Sequence, residues 1–325
     1  MIEINEIKDL GTDLHRPECV LCTSNGRAFV TNVKGGITII EPNGTQSEMI
    51  AKDPGFDLAP NSFCLMPDSS VLLANLGAED GGVHRLREDG VCTPFVTEAD
   101  GVELPPTNYV HRDCLGRVWI TVSTRRMPRA LGYRKDIDDG FIILADERGA
   151  RIVADGLGYT NECVVHPDGS RLFVNETFGR RLSSFDIMEN GDLTNRVTVA
   201  EFGHGVFPDG LTFDVDGGIW ITSIVSNRVI RVAPDGSSQS VEIEDSDPDH
   251  VLAVEAAFQA DVMTKEHLAT ISSRRMKNIS SLAFGGSRLD RIHLGCLLDD
   301  RIYICHSPVQ GHPPSHWHFE GPRLL

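Results

Sequence analysis

The sequence predicts an all-β chain: a six-bladed β-propeller with one inserted helix between the fifth and sixth blades. Three observations carry that prediction. A unit made of a short apolar run, a polar turn, a β-rich run, a gap and a third run recurs six times, starting at residues 17, 61, 107, 160, 208 and 280. The starts lie 44 to 72 residues apart, which matches a blade period of roughly 40 to 50 residues with insertions in the third and fifth units. Helical periodicity is scarce, and 31 Gly and 17 Pro punctuate the chain at turns. A doubly wound sheet would need helices of about ten or more residues between its strands, and a sandwich would need fewer strands.

The units follow in order. The first is PECVLCTSNGRAFVTNVKGGITIIEPNG from residue 17, and the second is NSFCLMPDSSVLLANLGAEDGGVHRLREDG from 61. The third begins TNYVHRDCLGRVWITVSTRR at 107 and returns through DDGFIILADERG. Next come TNECVVHPDGSRLFVNETFGRRLSSFDIMENG from 160, PDGLTFDVDGGIWITSIVSNRVIRVAPDG from 208 and SSLAFGGSRLDRIHLGCLLDDRIYICHSP from 280. Each holds three β-rich segments separated by hairpin turns such as P-D-G-S, the pattern of one antiparallel blade. Turn acids in HPDGS, FDVDGG and APDGS lie between two strands and lack the rest of a calcium loop, so they are read as hairpins. Residues 247–272 interrupt the β pattern, with Val251, Val254, Phe258, Val262 and Leu268 at near-helical spacing. That segment is expected to cover an edge or a propeller face. Closure of the ring is expected from a terminal strand, with IEINEI and SHWHF as the candidate pieces.

Charge and composition narrow the function. Lys and Arg number 30 against 47 Asp and Glu, a net charge of −17 that repels nucleic acid and anionic lipid. The densest basic run is Arg125, Arg126, Arg129, Arg134 and Lys135, followed at once by Asp136, Asp138 and Asp139. A small anion fits there, and a duplex does not. No stretch approaches the roughly 18 apolar residues of a membrane span, and MIEINEIKDL is not a secretory leader. The eight cysteines sit mostly in apolar runs and read as free thiols, so the expectation is one cytoplasmic domain over residues 1–325.

Superposed, the units share a polar residue where an apolar core strand would begin. It is Glu18 in RPECV, Asn108 in PPTNYV, Asn161 in YTNECV and Asp209 in FPDGL, with Asn61 or Ser62 in the second unit and Ser280 or Ser281 in the sixth. In a closed ring these side chains converge on one axis. Carboxylate and amide oxygens there suit a hard divalent cation, Ca²⁺, Mg²⁺ or Mn²⁺.

These segments resemble the six-bladed family of senescence marker protein (regucalcin), gluconolactonase and luciferin-regenerating enzyme. The resemblance covers nearly the whole chain and rests on the early Glu of RPECV, on TNYVHRDCLGRVWIT, TNECVVHPDGSRLFVNET, FPDGLTFDVDGGIWI and LAFGGSRLDRIHL, in the family's order. It implies that Glu18, Asn161 and Asp209 hold one divalent metal, Ca²⁺ first, with Mg²⁺, Mn²⁺, Zn²⁺ or Fe²⁺ as alternatives. Asn108 is then a fourth ligand or a substrate contact, and Asp209 with Asn108 forms the catalytic set. The implied activity is metal-dependent hydrolysis of a small lactone, such as a sugar-acid lactone, with Asp209 accepting a proton from water. The alternatives are a metal-dependent esterase or phosphotriesterase-like hydrolase, and a non-enzymatic calcium-binding propeller. The partners are the lactone and, in a homo-oligomer, further copies of this chain.

Departures from the pattern bear on specificity. Tyr109 stands where the family has Asp, Pro106 where it often has Arg, and Glu162 where it has Gly. A more apolar mouth follows, ill-suited to gluconolactone. Arg125 and Arg126 follow the second strand of blade three and are candidates for binding a substrate carboxylate, and with Tyr109 and His204 they complete the expected substrate contacts. His15 and His204 stand close in sequence to Glu18 and Asp209 and are candidates to join the site.

Overall fold

A computed structural model describes residues 1–78 and 80–324, and in it the six repeats form six four-stranded antiparallel sheets. Blade one is Val20–Cys22, Ala28–Asn32, Gly36–Ile40 and Gln46–Ile50. Blade two is Pro60–Leu65, Val71–Asn75, Val83–Leu86 and Cys92–Val96. Blade three is Tyr109–Arg112, Val118–Val122, Gly140–Asp146 and Gly149–Leu157. Blade four is Thr160–Val165, Arg171–Glu176, Arg181–Ile187 and Leu193–Glu201. Blade five is Phe207–Phe213, Ile219–Ile224, Arg228–Val232 and Gln239–Glu244. Blade six is Ile279–Gly285, Arg291–Cys296 and Ile302–His306, completed by Lys8–Leu10 from the N-terminus.

Closure thus joins the two ends of the chain, with Asp9 opposite Tyr303. The expected pieces are displaced by a few residues. Ile4–Glu6 within IEINEI forms a 3-10 turn, and the residues just after it supply the strand. SHWHF forms no strand; it belongs to a C-terminal segment that crosses the lower face. That segment bonds in turn to blade five (His312 N to Phe213 O, 2.8 Å), blade three (Ser315 Oγ to Arg112 O), blade one (Ser24 N to Trp317 O, 2.8 Å) and blade two (Arg323 N to Glu88 Oε1, 2.6 Å).

The core lies between blades. Phe29, Phe63, Trp119, Phe173 and Trp220 are fully buried, each contributing on the order of 2 kcal/mol through area removed from water. The D-x-x-G-x-x-W turns are structural. Asp214 Oδ2 accepts from Trp220 Nε1 at 2.8 Å and Arg231 Nε at 2.6 Å, while Oδ1 accepts from the amides of Asp216 and Gly218. Asp113 does the same for Trp119 and Arg117 in blade three.

The insertion between blades five and six holds the expected helix, α1 (Pro248–Gln259), N-capped by Asp247 and with Pro248 at its first position. A second short helix, α2 (Lys265–Ala269), follows, because the chain turns at Asp261 in a left-handed conformation and Thr264 starts a new cap. Val262 therefore lies outside α1 and is exposed, whereas Val251, Val254 and Phe258 pack on Tyr133, Tyr159, Phe178 and Phe207. This lays α1 over the upper face at blades four and five. Arg180 and Glu255 pin it there at 2.9 and 2.5 Å.

Candidate active site

At the channel axis, within two residues of where the innermost strands begin, stand Glu18, Asn61, Asn108, Asn161 and Asp209, all buried. A local irregularity explains how they point inward. The ladder between the first and second strands slips in blades two, four, five and six, between Pro60 and Ser62, Thr160 and Cys163, Pro208 and Leu211, and Ile279 and Leu282. A bulge re-aims side chains beside it, so neighbours that strict alternation would place on opposite faces can both reach the axis. Asn161 and Glu162 do so together.

Hydrogen bonds link the ring from blade to blade. Arg16 Nη1 donates to Asn61 Oδ1 (3.2 Å), Asn61 Nδ2 to Asn108 Oδ1 (3.0 Å), Asn108 Nδ2 to Asn161 Oδ1 (2.7 Å), and Asn161 Nδ2 to Thr177 Oγ1 (3.0 Å). Thr177 Oγ1 in turn donates to Pro208 O, beside Asp209 (2.8 Å). Arg16 also lies 2.5 Å from Glu18 Oε2, but the contact is poorly aligned and leaves that oxygen without a hydrogen bond. Ser62, Ser280 and Ser281 stitch adjacent strands through Val110 N, Glu18 O and Val20 N.

The electrostatics are those of crowded buried acids. Burial first, then the charges of Glu18 and Glu162, hold Asp209 well above the usual carboxylate range, against the pull of Arg16 and Arg129. Glu18 is also raised, by burial opposed chiefly by Arg16. Burial pushes Glu162 up to about 8, although it accepts from Leu211 N at 2.9 Å. Two acids whose proton affinity burial raises, a Glu18 oxygen left without a hydrogen bond although Arg16 stands beside it, and converging amide oxygens form an all-oxygen donor set that fits a hard dication. Among the described residues no group of three His, Cys, Asp or Glu has metal-holding spacing; with Glu162 turned to Leu211 N and the cavity below, two carboxylates plus amides are what the described residues offer.

Above the ring a pocket of about 440 Å³ opens to the upper face. Arg16 and Arg129 line it and touch the ring below. Its walls are mainly apolar, from Val33 and Leu76 of blades one and two, Pro106, Met127 and Tyr133 of blade three, Leu268 of α2 and Leu297 of blade six.

Several expected contacts lie elsewhere. Tyr109 is buried in the core with Cys19, Phe63 and Cys163, below the ring and away from the mouth. Arg125 is exposed and held bidentately by Asp155 at 2.8 and 2.9 Å. Arg126 faces Asp139 at 3.4 Å. His204 is exposed on the loop before blade five, and His15 sits 3.8 Å from Glu48. Of that basic run it is Arg129 that reaches the ring. Its Nη2 donates to Asn108 Oδ1 (3.3 Å) and Ser123 Oγ (3.0 Å), and its guanidinium lies 5.5 Å from the Tyr159 ring centre. Its signal in sequence was membership of the basic run, without a means of choosing among five residues. Tyr159, two residues before Asn161, and Arg16, two before Glu18, both adopt left-handed backbone, a strain that clusters at sites.

Comparison with known proteins places this architecture. The SMP-30/Gluconolactonase/LRE-like region matches residues 16–246. A 6-deoxy-6-sulfogluconolactonase of Pseudomonas putida is 30% identical over 211 residues, which are 64% of this chain and 54% of that protein. The chain thus spans about half the length of that relative. Among solved structures, luciferin-regenerating enzyme shares the fold with TM-score 0.69 and 14% identity over 95% of this chain and 98% of that one. A calcium-binding protein, regucalcin, from Agrobacterium tumefaciens follows with 0.64 and 17% over 93% and 92%.

Proposed function

We propose that this chain, which belongs to the SMP-30/Gluconolactonase/LRE-like family, hydrolyses a small lactone at the buried ring of Glu18, Asn108, Asn161 and Asp209. The observation that carries the reading is that ring: acids and amides from separate blades, linked by hydrogen bonds, on the floor of a pocket. Glu18, Asn161 and Asp209 would hold a divalent cation, which when bound supplies polarisation of the lactone carbonyl and acidification of the attacking water. That the Pseudomonas relative is a 6-deoxy-6-sulfogluconolactonase and the Agrobacterium protein a calcium-binding one supports lactone chemistry and a divalent metal respectively.

The chain's own residues do the rest. Water oxygen bonds to the carbonyl carbon, the ring C–O bond breaks, and the ring oxygen leaves as an alcohol carrying a proton. Asp209 accepts the proton from water and returns one to that oxygen. Asn108, fixed by Asn61, Asn161 and Arg129, offers its amide to orient the ester. The apolar pocket supports a lactone with few hydroxyls, because exposed hydroxyls would lose water there without partners.

The test is a pH-indicator screen of aliphatic, aromatic and sugar lactones and aryl esters, with metal added or chelated. Lactone opening that needs metal and falls about 10²- to 10⁴-fold in Asp209→Asn supports the reading. Aryl-ester turnover without lactone turnover makes the protein an esterase, and tight Ca²⁺ binding with no turnover makes it a binding propeller.

A further inference from the structure

We propose that the lactone carries a carboxylate, bound at the channel mouth by Arg129 with Lys265; this rests on the lactonase reading above. Among the described residues the mouth pocket is lined by three cations, Arg16, Arg129 and Lys265, and by no acid. In a chain of net charge −17 that is a local reversal of sign. The three cations are not equally committed. Arg16 is paired with Glu18 at 2.5 Å.

Arg129 has no such partner among the described residues. Among the described residues every other member of its basic run is engaged: Arg125 by Asp155, Arg126 by Asp139, Arg134 by Asp136, and Lys135 by Gln259. No carboxylate of the described residues lies within ion-pair distance of Arg129, its Nη2 serves only neutral oxygens, and its Nε is buried without a hydrogen-bond partner. A guanidinium held by an amide, a hydroxyl and a ring face is oriented and left with donors to spare, and a planar fork of N–H groups matches a carboxylate best.

Lys265 opens α2, on the same pocket as Leu268. It is exposed, so it can follow a ligand charge without rearrangement of the core. The apolar wall between the two cations fits the body of such a ligand.

The test uses a matched pair: γ-valerolactone and 5-oxotetrahydrofuran-2-carboxylate, which differ by a methyl against a carboxylate. Calorimetric titration of chelator-treated full-length protein should show the carboxylate bound at least ~10-fold more tightly than the neutral lactone, as for a hydrogen bond to a charged group. Arg129→Met should remove that preference and Arg129→Lys retain part of it. Lys265→Met should reduce it about 3-fold, the scale of an exposed pair, and Lys265→Glu, on the exposed helix, should reduce it further. With metal restored, the ratio of kcat/KM for the two lactones should follow the same order. Equal binding of both lactones, or a preference that survives Arg129→Met and Lys265→Glu, overturns the proposal while leaving lactone hydrolysis standing. Arg129-dependent binding of the carboxylate with neither lactone opened under any metal supports the anion site and refutes the lactonase reading.

Discussion

Glu255→Gln should cost this protein about 3 kcal/mol at neutral pH, and the cost should shrink in acid. Glu255 is buried on α1, where its carboxylate accepts from Arg180 Nη1 (2.9 Å) and Nη2 (2.5 Å), Gln259 Nε2 (2.9 Å) and Gly205 N (2.9 Å). Arg180 itself is sandwiched near the Phe207 and Phe258 rings, 4.7 and 5.0 Å from their centres. Burial works to raise Glu255, but the bonds from Arg180, Gln259 and Gly205 outweigh it and hold the carboxyl down at about 2, against an ordinary 4.5. A depressed acid contributes stability that is present above its unfolded value and is lost as pH falls through its folded value. The 2.5-unit gap, at about 1.4 kcal/mol per unit, gives ~3 kcal/mol at pH 7 and roughly half of that near pH 3. Breaking a buried ion pair by removing one charge has the same scale, about 3 to 5 kcal/mol. The measurement is urea unfolding of wild type and Glu255→Gln, metal-free, across that pH range. A penalty below about 1 kcal/mol at pH 7, or one that does not fall in acid, refutes the reasoning.

Three further outcomes follow from the ring and its pocket. Glu18→Gln or Asp209→Asn should remove most bound metal, measured by elemental analysis after dialysis, while Asn161→Ala removes less, because only the first two supply charge. Because burial holds Glu18 and Asp209 protonated above the ordinary carboxylate range, a cation must displace their protons, so metal affinity by calorimetry should rise with pH through that raised range; the slope should flatten in either charge variant. Gluconolactone should be turned over less efficiently than a lactone with few hydroxyls, since Pro106, Leu76 and Leu297 offer its hydroxyls no partner; a preference for gluconolactone contradicts that.

How far the sequence can be read depends on the range of the interaction. Blades were legible because each is built from local hairpins, whose turns and alternating patterns are written within some fifty residues. The ring residues Glu18, Asn108, Asn161 and Asp209 were legible because a charged or amide side chain breaks an apolar strand start, and repetition makes the break visible. Glu162 was not, because alternation assigns it to the opposite face from Asn161 and only the register slip between Thr160 and Cys163 turns both inward. Arg129 was not, because its claim over Arg125 and Arg126 is decided by Asp155 and Asp139, which occupy its neighbours, and by Asn108, which receives it from 21 residues away. Tyr109 was misplaced for a related reason: the residue after Asn108 points down the channel into the core between blades, a place where a large ring is stabilised by burial.

The two ends of the channel divide the labour. Below the ring, Pro314, Ser315 and His316 of the crossing C-terminal segment line a small cavity with Tyr109, His111 and Glu162. Burial pushes His111 down to about 4 and His316 to about 3, so both imidazoles are neutral at physiological pH. Of the floor's buried groups the two histidines thus set no charge against the ring, and its guanidinium is that of Arg112. Above it, the pocket wall is assembled from loops of blades one, two, three and six and from α2. On the proposed reading, chemistry and selectivity are therefore carried by different parts of the chain. The ring belongs to strand starts locked by interblade hydrogen bonds, where any change disturbs several blades at once. The mouth belongs to loops and to an insertion anchored through Arg180 and Glu255, where Lys265 or Leu268 can change without touching the ring. Substitutions on α2 should accordingly alter which lactone is taken, and substitutions at Glu18 or Asp209 whether any is opened.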